Sequence, residues 1–266
     1  MVLVIVVAVV ALLAGLAANR WLRPRLVGDD DDSGMGVKDL VGPLLTMTVL
    51  LLSFVLVTAN SSYGKAEVAS RGEARAVDQL VEAAEYAPEA QRSRIQADAV
   101  CYARAVRTQE WPAMADGNGS AAPSVWSTDF RRTFRALEGK PSFGMLVAAD
   151  NKRSDEREER LTQATASIPS AIMWFLLATL IITVAALGIC LPRRNNRGQI
   201  ITLVVITALL TTALCIIRDV DRPFGGIVNV EPTAIAEAER QAARDFAVNH
   251  PATDLPCDDQ GNRRAA

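Results

Sequence analysis

Four long apolar runs alternate with polar segments along the chain. The runs cover residues 2–18, 40–59, 168–191 and 200–217, and none of them contains a charged residue. An apolar run of roughly 17 to 25 residues is long enough to cross the hydrocarbon core of a bilayer as a helix. The pattern therefore predicts four transmembrane helices, the last two joined into a hairpin by a basic turn at residues 192–199.

The first apolar run has two interpretations, a retained span and a cleaved signal peptide. The small residues from Ala14 to Ala18 resemble a cleavage site. A signal peptide, however, carries its basic residues before the apolar run, whereas Arg20, Arg23 and Arg25 follow this one. The flanking charge therefore favours a retained span.

The polar segment between the second and third runs is predicted to be helical. Apolar residues recur at helical spacing over residues 62–86 and 91–109. A further helix has the apolar face Trp126, Phe130, Phe134 and Leu137, which is interpreted as packing rather than as a ligand site. No segment alternates as a strand does. The predicted fold class is an all-α membrane protein with a helical soluble domain inserted between the second and third of its four transmembrane helices.

The predicted boundaries divide the chain into four parts. Residues 1–59 hold two transmembrane helices, 60–167 the soluble insert, 168–226 the hairpin with a boundary motif, and 227–266 a helix and tail. The tail from Asn249 is expected to be poorly ordered unless Cys257 ties it down.

Two dense charge runs are interpreted as solvated. Residues 29–32 are four adjacent aspartates, whereas a calcium loop spaces its ligands along the chain. Residues 150–160 are predicted to form a solvated helix face, with Arg153 paired to Glu156 or Glu156 paired to Arg160.

The cysteines and the single histidine limit the chemistry. Cys190 and Cys215 lie in apolar runs and are interpreted as small apolar fillers, whereas Cys101 and Cys257 form a candidate disulfide. There is no C-x-x-C pair, and His250 lies beside a proline in the tail. No metal site, cofactor site or catalytic group is predicted, and the chain is not expected to be an enzyme. The formal net charge of -2 gives no indication of nucleic-acid binding.

Two motifs stand at the ends of helices. Trp111 and Pro112 end the helix predicted at 91–109; the proline is expected to stop or kink the chain there, and both residues are assigned to packing. After the fourth run comes a boundary motif that comprises Arg218, Asp221, Arg222, Pro223, Phe224 and Gly225. Its charges suit a membrane boundary, and a structural elbow is favoured over an ion-binding site.

With these motifs, residues 41–246 resemble the bestrophin-like family of bacterial membrane proteins. The resemblance implies kinship with bestrophins, which are pentameric anion channels and carry a proline-phenylalanine-glycine segment after the last membrane helix. Pro223, Phe224 and Gly225 look like that segment. The acidic calcium-binding cluster of bestrophins does not follow it here, because Gly226 and Ile227 stand in its place, so calcium gating is not implied.

Two arguments about topology disagree. Basic residues in both hairpin loops, among them Arg23 and Arg194, place those loops in the cytoplasm and the insert and both termini outside the bacterial plasma membrane. Bestrophins, by contrast, keep their helical region and termini in the cytoplasm. The loop charge favours the extracytoplasmic arrangement.

Two functions are carried forward. The first is a homo-oligomeric ion channel or pore, which the resemblance and the hydroxyl-bearing second span, with Thr46 and Ser53, favour. The alternative is a non-catalytic accessory or scaffold subunit of a larger bacterial membrane complex. The expected partners are the lipid bilayer and either further copies of the chain or other membrane subunits.

Overall fold

The fold is helical throughout the part of the chain that the structure describes. The computed structural model describes residues 2–21, 37–191 and 197–264. Its α-helices are α1 (Val2–Trp21), α2 (Val37–Ala84), α3 (Glu89–Ala105), α4 (Trp111–Ala115), α5 (Ala122–Arg135), α6 (Pro141–Thr162), α7 (Ser170–Ile189), α8 (Arg197–Val220) and α9 (Thr233–Ala247). The four aspartates at 29–32 and residues 192–196 of the basic turn lie outside the described residues.

Four of these helices, α1, α2, α7 and α8, are long and apolar enough to cross a membrane. The helix α2 is much longer than a span, with 48 residues, or about 72 Å at 1.5 Å per residue. The two helices predicted at 40–59 and 62–86 are therefore one. Gly64 and Gly72 lie inside it, and a glycine weakens a helix by only about 1 kcal/mol without breaking it.

The chain forms two compact units. Unit 1 comprises Met1–Ser61 with Ser167–Asp221, and unit 2 comprises Ser62–Ala166 with Arg222–Ala266. Residues of α2 belong to both units, whereas α1, α7 and α8 belong to unit 1.

Small and polar residues bring the helices of unit 1 together. A Cβ added to Gly188 of α7 would lie 2.9 Å from the carbonyl carbon of Gly15 in α1, so the two backbones are almost in contact. The Asn19 amide donates to the Leu191 carbonyl at 2.9 Å, and the hydroxyls of Thr48 and Thr183 are 2.7 Å apart. Close backbone approach and hydroxyl pairs are typical of helix contacts in membranes.

The core of unit 2 is built around α3, which packs against α5 and α9. Ile95, Ala99 and Tyr102 of α3 are fully buried. The aromatic face predicted at 126–137 lies in this core, and so do the apolar residues of α9, among them Ile235 and Phe246. Each helix therefore turns the apolar face read from its spacing toward a common centre.

The chain does not stop at Pro112, contrary to one of the two predicted outcomes. Residues Val106–Glu110 form a π-helix that leads directly into α4. The Trp111 amide donates to the carbonyl of Val106, five residues back. Pro112 has no N–H to place, so it fits the first turn of α4.

Candidate functional site

The boundary motif contains an aspartate that binds backbone amides. Asp221 is 5% exposed. Its Oδ1 accepts hydrogen bonds from the amides of Ser167 and Ile168 at 3.0 and 2.9 Å and from the Ser167 hydroxyl at 3.0 Å. These bonds join the segment before α7 to the end of α8. Asp221 therefore connects the start of α7 to the end of α8. Arg218, three residues earlier, is half-buried.

The rest of the motif folds into a tight turn in unit 2. Arg222 is an exposed residue. Its carbonyl accepts hydrogen bonds from the amides of Gly225 and Gly226 at 3.1 and 3.2 Å. A Cβ on Gly225 would lie 2.5 Å from the Ala115 carbonyl oxygen, so this position has room only for glycine. The carbonyl of Pro223 accepts the Val230 amide at 2.7 Å. The geometry is that of an elbow.

Trp111 is the partner of this elbow. Its ring meets Phe224 edge-on at 5.3 Å between centroids, and its indole N–H donates to the Val230 carbonyl at 3.0 Å. Trp111 is 7% and Phe224 4% exposed. The packing role predicted for Pro112 is wrong, because this residue is exposed. Only the tryptophan beside it packs in the core.

A cluster of buried charges lies next to Trp111, and the sequence interpretation missed it. Glu110, the last residue of the π-helix, accepts Arg157 at 2.5 Å through Oε1, and its Oε2 contacts Arg160. Arg160 also binds Glu73 of α2, which in turn accepts the hydroxyl of Tyr102. Glu110 and Arg160 are completely buried. The predicted solvated face at 150–160 is therefore wrong for Arg160.

The predicted solvated face is also wrong for Arg153. It is 1% exposed, binds Asp150 with its Nε at 2.9 Å, and lies 4.4 Å above the ring of Tyr102. The predicted partner Glu156 binds Lys152 instead. A guanidinium over an aromatic face keeps a favourable electrostatic environment without water.

The charges of this cluster compensate one another. Burial by itself would raise the pKa of Glu110, but hydrogen bonds and charge from Arg157 and Arg160 hold that pKa below its ordinary value. Burial, followed by the charge of Glu73, raises the pKa of Tyr102. These directions keep Glu110 ionised and Tyr102 neutral near pH 7, so the cluster is held by ion pairs and hydrogen bonds between them.

The structure joins the two candidate disulfide residues. Cys101 of α3 and Cys257 of the tail are bonded, 156 residues apart in the sequence, and both are fully buried. The tail is folded against unit 2, and the indole of Trp126 donates to the Gly261 carbonyl at 2.9 Å. Gly261 has φ +76 and lies against the backbone of Ala105, a conformation that favours glycine.

The described hydroxyls of the second span bond to their own helix. Thr46 donates to Gly42 at 3.1 Å and Ser53 to Val49 at 2.8 Å. Both side chains are nevertheless on exposed positions, seven residues apart, and Asn60 follows after another seven. In the residues that the structure describes, there is no group of three or more His, Cys, Asp or Glu residues that could hold a metal ion.

Four span-length helices of this kind define an all-helical integral membrane protein. The sequence matches the Bestrophin-like domain over residues 5–235, and the chain belongs to the bestrophin-like family. This confirms the resemblance read from its motifs. A comparison with curated protein sequences finds no match.

Solved structures share the fold at low sequence identity. A bacterial bestrophin homologue from Klebsiella pneumoniae is 14% identical with a TM-score of 0.62, over 93% of this chain and 99% of that one. A single-residue variant of it is 13% identical with a TM-score of 0.71, over 92% and 99% of the two chains. A crystal structure of a membrane protein variant is 14% identical with a TM-score of 0.70, over 94% and 99%.

Proposed function

We propose that this protein is the subunit of a homo-oligomeric ion channel of the plasma membrane. Family membership and the fold shared with bestrophin homologues support a channel. The observation that carries the proposal is the exposed face of α2, where three polar residues recur every seven positions among large apolar ones. Thr58 is also exposed but lies outside this series.

Thr46, Ser53 and Asn60 form this polar stripe. In a straight α-helix, positions seven apart drift by about 20° per step, so the three side chains lie within one narrow sector. Large apolar residues flank the stripe, among them Leu50 at 53% and Phe54 at 71% exposure. A ring of α2 helices would place the stripe on an aqueous path and leave the flanking residues for contacts between copies.

Thiol modification in the span tests this arrangement. The chain is made with Cys190→Ser and Cys215→Ser, which leaves the disulfide as its only native cysteines, and Ser53→Cys is added. Flux is measured in vesicles under a potassium chloride gradient, with potassium and chloride followed separately. A water-soluble, charged thiol reagent is expected to block more than half of the flux.

The matched control is Leu209→Cys, a position on α8 that is 65% exposed. It is expected to react slowly and to leave the flux unchanged, because a lipid-facing thiol rarely ionises. Equal block at both positions, or no flux from the purified protein, would contradict the proposal.

The alternative function is an accessory subunit of a larger complex. Measuring the native mass of the extracted protein distinguishes it from a channel. A ring of identical copies extracted in mild detergent agrees with the channel. Co-purification at a fixed ratio with unrelated subunits agrees with the alternative.

We also propose that unit 2 and both termini are extracytoplasmic. The loop charges support this orientation. The buried disulfide between Cys101 and Cys257 supports it further, because disulfides persist in oxidising compartments outside the bacterial cytoplasm.

A further inference from the structure

A cavity of about 550 Å³ lies in unit 2, between α3, α5, the end of α9 and the folded tail. Six residues of its wall are charged: Arg94, Asp98, Asp129, Asp254, Arg263 and Arg264. The volume is within the range of small-molecule sites, roughly 300 to 1,000 Å³. Neither the spans nor the buried ion-pair cluster contributes to it.

Asp98 supplies an unsatisfied acceptor in this wall. The residue is 2% exposed, and its Oδ2 is buried without a hydrogen-bond partner among the described residues. Asp129, also in the wall and 4% exposed, differs because its oxygens bind Arg132 and Arg263. A buried carboxylate without a partner is unfavourable. A ligand in the cavity that donates a hydrogen bond to Asp98 would remove this cost.

Arg94 supplies the opposite charge on the same helix. It stands four residues before Asp98, a spacing at which the two could form an ion pair. Arg94 makes no hydrogen bond or ion pair with any described residue, although its charge lowers the pKa of Asp98. Burial and the charge of Asp129 act the other way and raise that pKa to about 7. The carboxyl therefore ionises readily when a cation approaches.

One side of the wall carries aromatic and apolar side chains and is held in place by local contacts. The rings of Phe246 and His250 stack at 5.0 Å, and His250 Nε2 lies 2.8 Å from the hydroxyl of Ser93. Ala97 and Pro256 complete this side of the cavity. This surface lies beside the unsatisfied carboxyl of Asp98 and the guanidinium of Arg94. Together they match a small molecule that carries both charges and a hydrocarbon part.

We propose that this cavity binds a small zwitterionic molecule of the amino-acid type. Its ammonium group donates to Oδ2 of Asp98, its carboxylate pairs with the guanidinium of Arg94, and its hydrocarbon part packs against Phe246 and Pro256. The site is separate from the proposed conduction path, so a negative result in the flux assay leaves this proposal unaffected, and the converse also holds.

Calorimetric titration of the full chain in detergent tests the site. The probe is L-leucine, and two further probes each lack one charge: 3-methylbutylamine and 4-methylpentanoate. Saturable binding of L-leucine at one molecule per chain is expected, with each half-probe at least tenfold weaker. Absence of saturable L-leucine binding, or equal affinity for either half-probe, would overturn the proposal.

Variants locate the binding. Asp98→Asn and Arg94→Gln are each expected to weaken L-leucine binding at least tenfold, whereas Glu89→Gln, at the exposed start of α3, leaves it unchanged. Arg94 is on the surface, so its variant is expected to keep the fold and tests the site even if the Asp98 variant is unstable. Wild-type affinity in the Arg94 variant would exclude the proposed pairing.

Discussion

Glu110 is the residue on which the buried charge cluster depends. It binds two arginines from one helix, Arg157 and Arg160, and its removal would leave Arg157 with no carboxylate partner among the described residues. Glu73 would then be the only carboxylate in contact with Arg160. The consequence is an uncompensated positive charge next to Trp111, inside the core of unit 2.

Glu110→Gln is therefore expected to destabilise the protein. Removing one partner of a buried ion pair costs about 3 to 5 kcal/mol, because both arginines lose a counter-charge and Arg160 stays fully buried. The measurement is the loss of helical circular dichroism in detergent with increasing denaturant at pH 7. Glu158→Gln, an exposed position on α6, is the control, and equal stability of the two variants would contradict this account.

At the scale of the helix, α6 shows where sequence reasoning fails. Its charges from Asp150 to Arg160 satisfy the spacing rules for surface ion pairs, and nothing local marks Arg153 or Arg160 as buried. Their partners outside α6, Tyr102, Glu73 and Glu110, come from segments 50 to 87 residues away. Charge spacing therefore placed these residues on a helix but could not tell which of its charged side chains are buried.

The contact between α1 and α7 depends on two glycines. Gly188→Ala would place a methyl group 2.9 Å from the backbone of Gly15, and backbone cannot move aside as a flexible side chain can. Over-packing of this kind costs about 1 to 3 kcal/mol. We expect the protein in detergent to lose its folded elution peak at a lower temperature.

Gly198→Ala in α8 is the matched change, because nothing lies within 4 Å of a Cβ at that position. It is expected to leave thermal stability unchanged or slightly raised, since alanine favours helix more than glycine does. If Gly188→Ala behaves in the same way, the two helices do not pack as closely as described.

At the scale of the whole molecule, the composition of the sequence predicted the membrane-spanning helices but none of the sites. Charge-free runs predicted four span-length helices, and these lie in α1, α2, α7 and α8. The unbroken length of α2 could have been predicted, because no cap or proline separates the span from its continuation. The Asp98 cavity could not be predicted, because its walls come from three helices and the tail.

The proposed orientation predicts which side of the membrane each segment faces. Two variants are made in the background with Cys190→Ser and Cys215→Ser. The first is Asn118→Cys, in an exposed loop of unit 2, and the second is Gly198→Cys, at the exposed start of α8. A membrane-impermeant maleimide applied to intact cells with a permeabilised outer barrier is expected to label only the first. Labelling of only the second would reverse the topology.

The disulfide has a consequence for the order of synthesis. Cys257 lies beyond both helices of the hairpin, α7 and α8, while its partner Cys101 precedes them. The helices α3 and α5 are thus made long before the α9 and tail residues that complete their core. During translation, the first half of unit 2 must wait with apolar surface uncovered until the hairpin has been inserted, and this interval is when a chaperone would have the most to protect.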